Sequence, residues 1–310
     1  MKVYDMLIVG GGPAGLTAGL YASRSTLDAL LFERMVPGGQ IVNTEWVEDY
    51  PGFGKIRGAE LAEKIREHSQ SFGLQILQEN VKEVYTEGDL RCVKTENAEY
   101  KALTVLVAPG GFPRRLGVPG EAKLNGKGVS YCGICDGAFF KDQRIMVAGG
   151  GDSAAEEAHF LTKFGSHVHM VHRRDELRAK RILQERVLKN PKITVIWDTV
   201  VTEIKGDTEV RSVLLKNVKT GEITEQETEG VFIFIGFKPN SGVIRDPVEL
   251  DQDGHIITSR HMETSIKGIF AAGDVRSQIV RQITNSVGDA TVAVVAAERY
   301  IEALKEKGVK

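Results

Sequence analysis

Two stretches of the chain share one pattern of apolar and small residues. Leu7-Ile8-Val9 is an apolar run that breaks into Gly10-Gly11-Gly12-Pro13-Ala14-Gly15. Ile145-Met146-Val147-Ala148 breaks in the same way into Gly149-Gly150-Gly151-Asp152-Ser153-Ala154. A short apolar run closed by glycines predicts a buried strand and a tight turn. After each turn the apolar spacing becomes helical. Leu16, Ala18, Gly19, Leu20 and Ala22 follow the first turn, on a helix starting near Pro13, where a missing N–H costs nothing. Ala154, Ala155, Ala158 and Leu161 follow the second, on a helix predicted over Ser153 to Lys163. A further strand closes each unit: Ala29 to Phe32, ending at Glu33, and His167 to Val171, ending at His172-Arg173-Arg174.

Strand, glycine turn, helix and strand in this order form a dinucleotide site. Gly10 makes the turn off the strand, Gly12 admits a pyrophosphate against the backbone, and Gly15 lets the helix pack on the strand. The helix amides after Pro13 and Ala14 then face the anion. Glu33 stands where a carboxylate accepts hydrogen bonds from an adenosine ribose. The second unit has Gly151, Asp152 and Ser153 at its turn but basic residues at the end of its strand. Arg173 and Arg174 suit the 2′-phosphate of NADP, and Arg178, one helical turn on, extends the group. A merely solvated basic face is the poorer explanation, because cations are mildly unfavourable at a helix start. One site therefore takes FAD or NAD, and the other takes NADPH.

Composition narrows the class. The 310 residues, 42% apolar and 26% charged, fit an ordinary globular protein of two domains. A net charge of −2 gives no bulk case for nucleic acid or an anionic membrane. No stretch approaches the ~20 apolar residues of a membrane helix, and the N-terminal run from Met6 to Val9 is too short for a signal peptide. A cytoplasmic location is the expectation.

Three cysteines cannot form a disulfide framework. Cys132-Gly133-Ile134-Cys135 is a C-x-x-C, which reads as redox-active or metal-binding. His159, His167, His169 and His172 cluster in sequence, but His167 and His169 alternate along a strand and no second C-x-x-C is present, so no metal site is assigned. Cys92, within Leu90-Arg91-Cys92-Val93, reads as a small half-buried strand residue. Asp136 beside Cys135 would raise that thiol's pKa if ionised, a poor stabiliser but a fit proton shuttle to a leaving thiolate. Two unlike nucleotide sites and a dithiol point to electrons passing from a nicotinamide through a flavin to a disulfide.

The chain resembles, over nearly its whole length, the low-molecular-weight thioredoxin reductases of bacteria and archaea. The motifs are GGGPAG, C-x-x-C-D-G and HRR, with Gly38-Gly39-Gln40, Asp49-Tyr50-Pro51-Gly52, Gly117 to Glu121, Ile235 to Asn240, Ala271 to Val275 and Arg281-Gln282. The resemblance implies an α/β fold of two Rossmann-like, three-layer ββα nucleotide-binding domains. The FAD domain is discontinuous, residues 1–112 and 243–310, with the NADPH domain at 113–242 inserted, carrying the C-x-x-C. Linkers near Phe112-Pro113 and Lys238–Asn240 are expected to act as hinges, since a nicotinamide and a disulfide cannot share one isoalloxazine face.

Gly39, Gln40 and Asp49 then belong to the FAD site. Gly273 and Asp274, at the end of the strand Phe270-Ala271-Ala272, are placed to bind its ribityl chain. Arg281 and Gln282 precede a small-residue helix, Gly288 to Ala297, whose N-terminus suits the electron-rich edge of the flavin. Implied partners are thioredoxin or a thioredoxin-like or glutaredoxin-like protein, and a second copy in a homodimer. The chain departs from the family pattern at Pro109, Asp49 and Asn285. Two rivals remain: a flavin-dependent dithiol oxidase of the same fold, and a non-catalytic NADP(H) sensor signalling through its C-x-x-C.

Overall fold

The first strand, β1 (Val3–Val9), ends in four fully buried apolar residues, and the sheet of the first unit grows on both sides of it. It pairs in parallel with β2 (Ala29–Phe32) and β6 (Glu99–Val107), and β2 pairs in parallel with β3 (Gln75–Leu77). β4 (Val81–Glu87) and β5 (Leu90–Thr95) form a hairpin that joins β6 antiparallel. Beyond the hairpin, the last residues of β6 take β17 (Ile269–Ala271) in parallel, so the C-terminal stretch completes the sheet. Alternation along β1 decides both cores. Met6 and Ile8 face α1 (Pro13–Arg24) and α6 (Ile283–Glu306), packing with Leu16, Ala18, Ala290 and Ala297. Leu7 and Val9 face the other way, onto Val84, Val93 and Ile269. Helix α2 (Gly58–Ser71) closes a smaller cluster around Ile41 and Leu61.

Two crossings separate the units. β7 (Gly111–Pro113) and β16 (Phe237–Pro239) pair as a ribbon, and the chain divides into residues up to Phe112 with those from Lys238 on, and Pro113–Phe237. Residues 238–242, which the sequence pattern put with the insert, lie with the first unit. Asn240 explains this: its N–H donates to Gly110 O at 2.9 Å and its Nδ2 donates to Pro109 O at 2.9 Å. The computed structural model describes residues 2–44 and 46–308.

The second unit holds a parallel sheet in the order β11-β10-β9-β15-β8. Its strands are β8 (Val129–Ser130), β9 (Arg144–Gly149), β10 (His167–Val171), β11 (Ile193–Ile196) and β15 (Gly230–Phe234). Ile145 and Val147 face α4 (Asp152–Leu161) and α5 (Arg181–Lys189). Met146 and Ala148 face an antiparallel sheet of β12 (Thr199–Lys205), β13 (Ser212–Asn217) and β14 (Ile223–Glu227). Each unit therefore has helices on one sheet face and strands on the other. Helix α3 (Gly133–Asp136) carries the C-x-x-C.

Three sequence expectations are adjusted. Cys92 is fully buried on β5, and burial pushes its thiol up. α4 ends at Leu161 because the next amides turn back three residues, Thr162 to His159 and Lys163 to Phe160, before Gly165 closes the end on Leu161 O. The C-terminal helix is much longer than its small-residue stretch, since Ile301 continues the same buried stripe.

Candidate functional site

At the first glycine turn, Gly10 takes φ +102°, and a Cβ there would stand 2.4 Å from Ala108 O. A Cβ on Gly15 would lie 1.8 Å from Gly10 O, so the helix closes on the strand only because both are glycine. Gly12 differs. It is the N-cap of α1 in extended conformation, with no side-chain cap, and a Cβ there would meet nothing nearer than Gly39 Cα at 3.8 Å. Its missing side chain therefore leaves open space over the amides of Pro13–Gly15's turn, a cradle shaped for an anion. Pro13 occupies the first turn of the helix, and Ala14 is buried behind it.

Glu33 leaves the end of β2 and returns to that turn. Its Oε2 accepts from Gly11 N at 2.7 Å and its Oε1 from Met35 N at 2.9 Å. Each oxygen keeps a second lone pair for a ribose hydroxyl. Gly39 adopts φ +64° with a Cβ position only 2.9 Å from Gly12 Cα, so that loop lies directly against the cradle. Gln40 Nε2 donates to Gly111 O at 3.1 Å. Asp49 is exposed on the loop closed by the Val47–Ile56 bridge, and no contact joins it to the glycine turn among the described residues.

The C-terminal stretch reaches the same place. Gly273 has φ +73°, and a Cβ on it would lie 3.1 Å from Ala14 Cβ and 3.3 Å from Ser286 Oγ. Gly273 N donates to Asp289 Oδ2 at 3.1 Å, and Arg276 pairs with that carboxylate at 3.3 Å. Asp274 is the buried acid next to it. Its Oδ1 is closed to water with no hydrogen-bond partner, and its pKa is pushed up to about 6, by burial first and by Asp289, with Arg281 opposing. A carboxyl oxygen orphaned beside a glycine cradle fits a hydroxylated chain such as the ribityl of FAD. Arg281 Nη2 meets His255 Nε2 at 2.8 Å, and His255 contacts Asp251. Gln282 is the extended N-cap of α6.

The second turn repeats the arrangement with a different charge. A Cβ on Gly149 would stand 2.4 Å from Phe234 O, and one on Gly150 would lie 2.2 Å from His172 Nδ1. His172 is thus a buried ring packed on the turn; burial, with Arg178, Arg174 and Arg173 nearby, holds its pKa down. Gly151 caps α4, and Arg178 Nη2 comes within 4.0 Å of the position its Cβ would take. Arg178 N donates to Gly150 O at 2.7 Å, and Asp152 Oδ1 accepts from Lys180 N at 2.7 Å, so the arginine loop is tied to the glycine turn. Ser153 is exposed in the first turn of α4. Arg173, Arg174 and Arg178 are exposed, and none forms an ion pair among the described residues. Three unneutralised guanidinium groups beside an uncapped helix start fit a nucleotide phosphate.

Cys132 and Cys135 form a disulfide with Cα atoms 5.3 Å apart. Cys132 is the N-cap of α3, and its Sγ accepts from Cys135 N at 3.2 Å, an interaction that favours charge on that sulfur once reduced. Asp136 does not hang free beside the sulfurs: its Oδ2 accepts from Ser130 Oγ at 2.6 Å, and Ser130 Oγ in turn accepts from Cys132 N at 3.1 Å. Ser130, Asp289 and His255 escaped the sequence reading, because only the folded chain brings them to motif residues. The histidines do not converge. His167 and His169 pack with their rings tilted, centroids 4.7 Å apart, while His159 meets Asn190; the one metal-compatible trio among the described residues is Glu87, Cys92 and Glu99.

Comparison with known proteins agrees with this geometry. A family model described as pyridine nucleotide-disulphide oxidoreductase matches residues 4–290. The chain is 47% identical to the thioredoxin reductase of Bacillus subtilis (strain 168) over 306 residues, covering 98% of this chain and 97% of that one. The crystal structure of thioredoxin reductase from Streptococcus pyogenes MGAS5005 superposes with a TM-score of 0.93 at 50% identity, covering 97% and 99% of the two chains. That of the Giardia duodenalis thioredoxin reductase gives 0.94 at 35% identity, covering 97% and 100%.

Proposed function

The chain belongs to the pyridine nucleotide-disulphide oxidoreductase family, among its low-molecular-weight thioredoxin reductases, and on that premise we propose which of its residues carry each step. The activity is NADPH-dependent reduction of a protein disulfide through FAD and a dithiol. Bound FAD and NADPH supply the hydride and the two-electron relay.

The chain's own residues divide the remaining work. Gly10, Gly12, Pro13, Ala14 and Gly15 hold the FAD pyrophosphate on the amides of α1, Glu33 fixes its ribose, and Asp274 accepts from the ribityl chain. Gly39, Gln40, Asp49, Gly273, Arg281 and Gln282 complete the FAD pocket. Gly151, Asp152 and Ser153 hold the NADPH pyrophosphate, with His172 as the wall of the turn. Arg173, Arg174 and Arg178 clamp the 2′-phosphate. The Cys132–Cys135 disulfide is opened by two electrons. Asp136, aimed by Ser130, moves the proton at the sulfur. The resulting dithiol reduces a thioredoxin-like or glutaredoxin-like partner in the cytoplasm, and the enzyme works as a homodimer.

The disulfide capped at α3, in the unit that also carries the arginine-flanked glycine turn, is the observation that carries this reading. A dithiol oxidase would have no use for that turn or its arginines. Turnover of NADPH with thioredoxin supplied and omitted is the test. Cys135→Ser is expected to keep NADPH-driven bleaching of the flavin while losing thioredoxin reduction altogether. Normal thioredoxin turnover by that variant would overturn the role given to the dithiol.

A further inference from the structure

Glu157 has no part in the chemistry above, yet its carboxyl reaches Gly133, the residue next to Cys132. It projects from α4 toward the first residue of α3, so that a Cβ on Gly133 would stand 2.0 Å from Glu157 Oε2. The carboxyl oxygen thus occupies the space that a side chain between the cysteines would fill. Oε2 is shut off from water and has no hydrogen-bond partner. The rest of that wall is apolar: Leu161 Cδ2 and Phe164 line the neighbouring Gly137. Packing alone would favour a hydrocarbon here, because a buried, unpaired acid is costly. Burial first, and the charge of Glu156 second, push its pKa up to about 7.

We propose that Glu157 is a positioning residue for the Cys132/Cys135 dithiol, a buried carboxyl that shares a proton with the sulfurs and so sets how readily they ionise. The inference rests on the dithiol reading above. Two electrons from the NADPH-driven reaction break the S–S bond, and two protons are then needed to neutralise the pair of sulfurs. With one sulfur left as thiolate, Glu157 keeps its proton; with both sulfurs protonated, Glu157 ionises. Two full negative charges side by side are thereby avoided, and the group titrates as a coupled unit. The thiolate then attacks one sulfur of the partner disulfide, whose S–S bond breaks as the mixed disulfide forms. The second cysteine gives up its proton, closes the enzyme's own disulfide and frees the partner's remaining sulfur. Both protons end on the partner's thiols.

The titratable groups on the elements packed against Glu157 are few. They are Asp136 with the two cysteines at α3, Asp152, Glu156 and His159 on α4, Arg144 on β9, and His167 and His169 on β10. Arg181, Glu185, Arg186 and Lys189 stand on α5. Of their charges, that of Glu156 is the one that acts on Glu157. Among the described residues no cation pairs with it, so the ionised carboxylate makes thiolate formation harder.

The experiment uses the intact holoenzyme, reduced anaerobically with NADPH, and measures alkylation of its cysteines by iodoacetamide from pH 5.5 to 9. Glu157→Gln keeps the shape and removes the charge. Its apparent thiol pKa should fall by about one unit, roughly tenfold in thiolate where Glu157 is ionised in the parent and the thiol is still mostly protonated. The two profiles should converge below pH ~6, where Glu157 is protonated in the parent. Glu157→Leu, which extends the apolar wall, should shift the profile the same way and guards against a folding defect in the first variant. A merely structural role for Glu157 would leave the profile's midpoint unmoved. Identical profiles for parent and both variants would overturn the proposal and leave the dithiol reading intact. No NADPH-dependent alkylation of the parent would overturn both.

Discussion

Gly12→Ala separates a glycine kept for the fold from one kept for a ligand. The backbone at Gly12 has φ −74°, open to any residue, and the nearest atom to a new Cβ is Gly39 Cα at 3.8 Å, ordinary contact. The protein alone therefore loses little: alanine is a poorer N-cap than glycine by about 1 kcal/mol or less. An FAD pyrophosphate resting on the amides of α1 would meet the new methyl and be lifted off. A hydrogen bond to a charged group is worth about 1.5–3 kcal/mol, so each one lost weakens binding roughly 10- to 150-fold. The control is Gly15→Ala, whose Cβ would lie 1.8 Å from Gly10 O, a collision of backbone with side chain that no rotation relieves. Measured by calorimetric titration of FAD into the ligand-free protein, with thermal unfolding alongside, Gly12→Ala should keep its melting temperature within a few degrees and lose FAD. Gly15→Ala should lose both. A Gly12→Ala protein that binds FAD with parental affinity would refute the placement of the pyrophosphate at this turn.

Replacing Arg173 and Arg174 by glutamine should raise the KM for NADPH roughly tenfold or more per arginine, with little change for NADH; both are exposed and form no ion pair among the described residues, so stability should not move, and equal parental use of the two nucleotides would contradict the assignment. The FAD-free protein should lose stability as pH rises from about 4 to about 6. Asp274 is held protonated by burial in the fold, so the native chain binds its proton more tightly than the unfolded one, and that contribution fades through the raised pKa. In urea titrations at pH 4.5 and 7, Asp274→Asn should flatten this dependence; an unchanged difference between the two pH values would show that other groups cause it.

The chain's local order is written in its sequence. The glycines, the switch from strand to helical spacing and the C-x-x-C depend on neighbours a few residues away, and Gly10, Gly15 and Gly149 leave no room for a side chain. The unlike ends of the two second strands, Glu33 against Arg173 and Arg174, likewise stand at fixed offsets from their turns. What needed the folded chain are the contacts made across long separations. Asp289 reaches Gly273 from a helix that reads as packing, and Ser130 holds Asp136 by a hydrogen bond. Residues 238–242 fall with the first unit because Asn240 bonds to Pro109 and Gly110, which no composition signal announces. Glu157 shows the limit most plainly. Glu156-Glu157 reads as a charged, solvated face of a helix, and only the packing of α3 on α4 turns one of the pair away from water and sets it under Gly133. A side chain's environment is fixed by whatever lies against it in space, and burial, not residue type, decides whether its charge is costly.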